Sequence, residues 1–183
     1  MKKLKNWDNK TWLSSKSYIS QFNKFLKTKI NLNKNIKILD IGCGTGLSGF
    51  ALKKIGFKSI DGLDHSEEML KIAEQKKIYQ SLFNLDLNNS TYFNNKYDAI
   101  IAAGVISPAH ANPDTILSSY LILKKKGLMI FSINDHALND RLFYNLIKKT
   151  IKLSKFILLD QIYGDHIKEF NLKSSIFVLQ KSN

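Results

Sequence analysis

The stretch Ile38-Leu39-Asp40-Ile41-Gly42-Cys43-Gly44-Thr45-Gly46 joins an apolar run to a glycine-rich turn, with a carboxylate two residues before the first glycine. The apolar run from Ile36 to Ile41 predicts a buried strand, and the pattern from Leu47 to Ile55 predicts a helix after the turn. Glycine is needed where backbone adopts positive φ or approaches a ligand closely. The first N–H groups of a helix have no partner within it and point at whatever binds there. A strand, a glycine turn and a helix in this order therefore suit a nucleoside cofactor.

Gly56 ends that helix, and Ser59 to Asp64 predicts a second strand. A helix follows over Ser66 to Lys77 with Ser66 as its N-cap, then a third strand over Gln80 to Leu85. Tyr97 to Val105 predicts a fourth strand. Pro113 and Asp114 open a helix that ends near Lys125, Gly127 breaks it, and Leu128 to Ile133 predicts a fifth strand. Strands alternating with helices imply parallel strands joined by right-handed crossovers, hence an α/β, doubly wound, Rossmann-like sheet. After it, Leu138, Leu142, Phe143, Leu146, Ile147 and Ile151 recur at helical spacing. Phe156 to Tyr163 and Ser175 to Leu179 then predict an antiparallel hairpin at the sheet edge. Before the first strand, Tyr18, Ile19, Phe22, Phe25 and Leu26 mark an amphipathic helix within Trp12 to Ile30. With Trp7 and Trp12, it is a candidate lid over the cofactor. The expected organisation is one domain over 1–183, with a helical cap at 1–35, a cofactor-binding core at 36–133, and a helix with edge strands at 134–183.

The chain has 183 residues, 44% of them hydrophobic and 23% charged, which suits a single folded domain. Its one cysteine, Cys43, has no internal disulfide partner, and its four histidines show no metal-ligand spacing with it, so no metal is expected. The basic amino terminus lacks the apolar segment of a signal peptide, and every apolar run falls short of the roughly 20 residues of a membrane-crossing helix. A cytoplasmic protein without membrane insertion is expected. The net charge of +13 raises a nucleic-acid reading. Arg141 is the only arginine, however, and scattered lysines lack the bidentate and stacking contacts that arginine brings to such sites.

Two patterns overlap at the turn. Gly44-Thr45-Gly46-Leu47-Ser48-Gly49 satisfies G-x-G-x-x-G, and Asp64 stands near the spacing of a ribose-binding acid, which points to NAD. The strand ends at Ile41, however, so the turn begins at Gly42 and its glycines fall at every second position. Asp40 would repel a pyrophosphate arriving there and suits a cationic ligand instead. S-adenosylmethionine carries an ammonium and a sulfonium, and Asp40 could hold its methionine end directly or through water.

Asp40 to Gly46 resembles motif I of class I S-adenosylmethionine-dependent methyltransferases, D-x-G-x-G-x-G. Further landmarks follow in the family's order, with Asp64 in Gly62-Leu63-Asp64-His65-Ser66-Glu67-Glu68-Met69-Leu70 and Asp86 in Asn84-Leu85-Asp86-Leu87. The segments Tyr97-Asp98-Ala99-Ile100-Ile101 and Leu123 to Leu128 resemble its fourth strand and the turn into its fifth. The resemblance covers about residues 36–133 and is nearest to the Williams–Beuren-region methyltransferase-like proteins. It implies that Asp64 binds both ribose hydroxyls and Asp86 meets the adenine amino group. The cofactor-binding set is then Asp40, Gly42, Cys43, Gly44, Gly46, Asp64, His65, Met69, Asp86, Leu87 and Ala103. In place of the family's Lys-Pro-Gly-Gly turn stands Lys124-Lys125-Lys126-Gly127. Ala102 to Pro108 replaces the Asn-Pro-Pro-Tyr type sequence of base and glutamine amino-methylases. Should the acceptor need to lose a proton, His110 after the fourth strand and His136 after the fifth are the candidate bases; Asn134 and Asp135 beside His136 could orient a polar substrate. The small cap favours a small-molecule acceptor. An RNA methyltransferase is the alternative, and a nicotinamide- or nucleoside-binding protein without transferase activity is the third reading.

Overall fold

A computed structural model describes residues 34–86, 96–167 and 172–183. The helix expected over Trp12 to Ile30 and the site residue Leu87 lie outside the described residues. Seven strands form one sheet: β1 Lys37–Ile41, β2 Ser59–Asp64, β3 Leu82–Asn84, β4 Tyr97–Ala102, β5 Leu123–Asn134, β6 Phe156–Ile167 and β7 Leu172–Lys181. Their spatial order is β3-β2-β1-β4-β5-β7-β6. The helices are α1 Leu47–Lys54, α2 Glu67–Gln75, α3 Asp114–Ile122, α4 Asp135–Asn139 and α5 Arg141–Leu153. β1 to β5 pair in parallel, and β7 runs antiparallel to both β5 and β6. The expected hairpin is present, and its second strand inserts inside the first, so that β6 forms the edge.

The central strands read as near-continuous apolar runs because both faces are covered. Alternate residues feed two cores. Leu39, Ile100, Met129, Phe131, Phe177 and Leu179 pack with Ile116, Phe143 and Ile147 of α3 and α5. Ile38, Ala99, Ile101, Ile130 and Val178 share the other core with Ala51 and Leu52 of α1. Phe131 and Phe177 face one another across β5 and β7 as stacked rings with centroids 5.0 Å apart. No helix among the described residues is long and apolar enough to cross a membrane.

The entry into β5 corrects the expectation that a helix runs to Lys125 and is broken by Gly127. α3 ends at Ile122 and the strand begins at once, with a register shift that sets Lys124 to Gly127 opposite Asp98 of β4. The Asp98 carboxylate organises this bulge, accepting from Lys124 Nζ and from the Lys37 N–H, each at 2.8 Å. A Cβ on Gly127 would stand 2.9 Å from the Lys124 carbonyl oxygen, so the tight bulge excludes a side chain there. Lys126 takes a left-handed φ of 60° in the same bulge.

Candidate functional site

The glycine turn lies at the carboxyl ends of the parallel strands, where open α/β sheets place their ligands. Gly42, Gly44 and Gly46 have φ of 63°, 52° and 87°, which matches the every-second-residue register counted from the strand end. Their causes differ. A Cβ on Gly42 would meet Val105, which packs directly on the turn, and one on Gly46 would meet Tyr79 and Ala73. Among the described residues a Cβ on Gly44 would meet no atom within 4 Å. The turn is closed by Gly46 N–H donating to the Cys43 carbonyl at 2.8 Å, and Cys43 N–H donates to Leu63 O at 3.0 Å. Lys76 Nζ donates to the Thr45 carbonyl. Gly49, third glycine of the overlapping dinucleotide pattern, lies within α1.

Asp64 ends β2 and reaches back to this turn. Its Oδ2 accepts from Gly44 N–H at 2.8 Å and its Oδ1 from Ser66 N–H at 2.9 Å. His65 is exposed, with Nδ1 3.6 Å from Asp64 Oδ1. Ser66 caps α2, its hydroxyl accepting from Met69 N–H at 3.3 Å, while Glu67 and Glu68 complement the helix dipole. Ser66→Ala should therefore cost about 1 kcal/mol of stability in urea unfolding. Asn84 Nδ2 donates to the His65 carbonyl at 3.0 Å, and Leu85 N–H to Asp64 O at 3.2 Å. These bonds tie the end of β3 to Asp64 and bring exposed Asp86 beside the same strand end.

Asp40 stands apart from its neighbours in the turn. It is fully buried, and both Ser48 Oγ and Tyr79 Oη donate to its Oδ2, the latter at 2.7 Å, with the Gly49 backbone adding a further hydrogen bond to the carboxylate. The carboxylate thus lies beneath the turn rather than on an open surface, so a direct contact with a ligand's ammonium gives way to a role exerted through the turn. Burial raises its pKa to about 6, opposed by the bonds from Ser48 and Tyr79. Burial, with the Asp40 and Asp64 charges, pushes the Cys43 thiol far up, leaving a buried, protonated side chain with no nucleophilic character. Ser48 and Tyr79 carry no motif signal in the sequence.

Beyond β4, half-buried Ala103 leads to Gly104, whose φ of 70° and open Cβ direction repeat the pattern of Gly44. Its N–H donates to Ser132 Oγ at 2.9 Å, which ties this turn to β5. The following loop folds back through Ala111 N–H to Val105 O at 3.0 Å and carries His110 exposed on its rim. Beyond β5, His136 is exposed in the first turn of α4. Asn134 and Asp135 each have partners within the fold. Asn134 caps α4, and Asp135 accepts from Tyr163 Oη at 2.9 Å and from Lys173 N–H at 3.3 Å, securing the β6–β7 hairpin. The structure joins Asp40, Gly42, Cys43, Gly44, Gly46 and Asp64 in one connected unit and sets His110 and His136 beyond neighbouring strands.

A family model described as a methyltransferase domain matches residues 32–175. The chain belongs to the methyltransferase domain family. This methyltransferase domain is similar to the YqeM protein of Bacillus subtilis, at 30% identity over 129 residues, covering 67% of this chain and 51% of that one. It is also similar to the ribosomal protein L11 methyltransferase of Ruminiclostridium cellulolyticum, at 31% over 109 residues, 55% of this chain and 33% of that one. The domain spans about half the length or less of these relatives. Among solved structures, the magnesium protoporphyrin IX methyltransferase of Synechocystis PCC 6803, with bound S-adenosylmethionine, has the same fold. Its TM-score is 0.69 at 19% identity, covering 92% of this chain and 80% of that one.

Proposed function

We propose that this methyltransferase domain transfers a methyl group from S-adenosylmethionine to a small-molecule acceptor. The observation that carries the reading is the left-handed Gly42-Gly44-Gly46 turn, held to Asp64 through the Gly44 N–H and, among the described residues, open at the Gly44 Cβ position. The two open glycines, Gly44 and Gly104, leave room for a ligand across the ends of β1 and β4. When bound, S-adenosylmethionine supplies an electrophilic methyl group on a sulfonium. The residues that would hold it are Gly42, Cys43, Gly44 and Gly46 through backbone, Asp64 and Asp86 at the ribose and adenine, His65, Met69 and Leu87 around the adenosine, and Ala103 at the fourth strand. Asp40 supports the turn from beneath. Positioning the acceptor and excluding water supply most of what methyl transfer needs, and His110 or His136 would serve as base only for an acceptor that must lose a proton. A buried, unreactive Cys43 accords with the reducing cytoplasm, and the nearer likeness to the Williams–Beuren-region group belongs to the same reading. So does the treatment of the whole chain as one domain.

Against a dinucleotide, β7 lies antiparallel between β5 and β6, where the dinucleotide-binding sheet is parallel with order 3-2-1-4-5-6. Against an RNA acceptor, exposed Lys58, Lys96, Lys124, Lys125, Lys126 and Lys155 stand just before or at the starts of β2, β4, β5 and β6. Among the described residues, this lysine cluster marks the end of the sheet opposite the glycine turn, away from where an RNA would meet the reacting methyl. Calorimetric titration tests the reading. S-adenosylhomocysteine should bind with Kd within about 1 µM to 1 mM, the usual range of enzyme–ligand affinities, and NAD should give no heat of binding. Binding of NAD alone overturns it. Incubation of metabolite pools with methyl-labelled S-adenosylmethionine then identifies the acceptor, and transfer to RNA alone would favour the alternative.

A further inference from the structure

Three glycines around the turn share Tyr79 as a neighbour, although a Cβ on Gly62 would first meet Leu82 Cδ2 at 2.7 Å and Cys43 Sγ at 3.0 Å, and one on Gly46 would also meet Ala73. A Cβ on Gly62 would lie 3.1 Å from Tyr79 Cδ1, one on Gly46 would lie 3.1 Å from its Cε2, and one on Gly49 would lie 2.5 Å from its Cζ. These glycines come from β2, the turn and α1, and together they form a slot that the Tyr79 ring fills. Gly62 is also the cross-strand partner of Asp40, so the missing side chain opens the path by which the phenol reaches Asp40 Oδ2. A glycine inside a helix costs about 1 kcal/mol relative to alanine. At Gly49 that cost has a counterpart, because the phenol ring and hydroxyl occupy the space an alanine methyl would need. The Tyr79 backbone is itself anchored, with Ile78 buried before it and Gln80 N–H donating to Ile60 O at 2.8 Å after it. Lys53 Nζ also donates to the Lys77 carbonyl at 2.9 Å.

We propose that Tyr79 is the positioning residue of the cofactor turn, holding the Asp40 carboxylate and wedging α1, β2 and the turn at a fixed separation. The proposal deepens the S-adenosylmethionine reading and rests on it for its binding consequence. Tyr79 touches no reacting atom; it acts through Asp40 and the glycine backbone. Among the described residues the titratable groups facing Asp40 are Tyr79, Cys43 of the turn and Asp64 of β2, and the Ser48 hydroxyl and the Gly49 backbone of α1 also bond to it. Burial already drives the Tyr79 phenol well above its ordinary pKa, so it remains a donor to Asp40 through the physiological range.

The test compares wild type, Tyr79→Phe, Asp40→Asn and the double variant. Tyr79→Phe keeps the ring and removes one bond to a charged group, so S-adenosylhomocysteine affinity should fall about 10-fold. The pH at which that affinity is half lost should move upward, since Asp40 loses a donor that favours its charged form. In the Asp40→Asn background, where the phenol donates only to a neutral amide oxygen, the same substitution should cost clearly less affinity than it does beside the carboxylate. Equal affinity and an unchanged pH profile in Tyr79→Phe, or a full loss persisting beside Asp40→Asn, overturn the proposal. Amide hydrogen exchange of the ligand-free protein supplies an independent reading. Faster exchange of the Cys43 to Gly46 amides in Tyr79→Phe supports the positioning role, and unchanged exchange overturns it, even if wild type binds no S-adenosylhomocysteine. That last result would instead sink the cofactor reading.

Discussion

Asp64→Ala is expected to weaken S-adenosylhomocysteine binding by about 100-fold or more, the largest single-residue effect in the protein. The carboxylate accepts from two backbone N–H groups, of Gly44 in the turn and Ser66 at the start of α2. Hydrogen bonds to a charged group are worth about 1.5–3 kcal/mol each, and orphaned donors add their own desolvation cost. Removing the acceptor thus frees the Gly44 N–H while Cys43 N–H still holds the turn to Leu63 of β2, and under the proposed function it also removes the ribose ligand. Asp64→Asn keeps one carbonyl oxygen and should show a smaller loss, about 10-fold. Calorimetry at constant pH measures both. Unchanged affinity in Asp64→Ala would remove Asp64 from the site.

The succession of strands along the chain, the glycine register and the acid at the end of β2 were legible because each is local. Apolar runs bounded by turn residues mark buried strands, and glycines at alternate positions after a strand end translate directly into the left-handed φ values of Gly42, Gly44 and Gly46. What stayed hidden depends on partners far away in the chain. Tyr79 lies 39 residues from Asp40, in a segment with no motif, and the absence of side chains at Gly49 and Gly62 acquires meaning only once the phenol is placed between them. Asn134 and Asp135 read as polar residues near the site, yet their oxygens are used by a helix cap and by a hairpin that returns from 28 and 38 residues downstream. The lysine-rich entry to β5 failed as a helix because Asp98 captures Lys124 and the Lys37 backbone together. Periodicity sees only the residues in its window, and a bulge closed by a carboxylate of another strand lies outside it.

The second large effect concerns stability and has an unusual sign. Asp40 has a folded pKa of about 6 against an ordinary value of 3.8, because burial disfavours its charge more than Ser48 and Tyr79 restore it. Between these values the folded protein holds a proton that the unfolded chain has lost. Stability therefore falls as pH rises through about 4 to 6, and above that window the folded state bears the cost of the buried charge. The gap corresponds to a cost on the order of 3 kcal/mol. Asp40→Asn keeps an oxygen that can accept from Ser48 and Tyr79 but never ionises. It should match the wild type near pH 4 and exceed its stability by a few kcal/mol at pH 7, measured as the difference between urea unfolding curves so that other titrations cancel. A pH-independent difference between the two proteins would show that Asp40 ionises in the fold without cost. Retaining a destabilising charge beneath a glycine turn is the trade expected of a site rather than of a core. The more stable Asp40→Asn variant should accordingly bind S-adenosylhomocysteine less well, because its amide is neutral where the turn is built around a carboxylate.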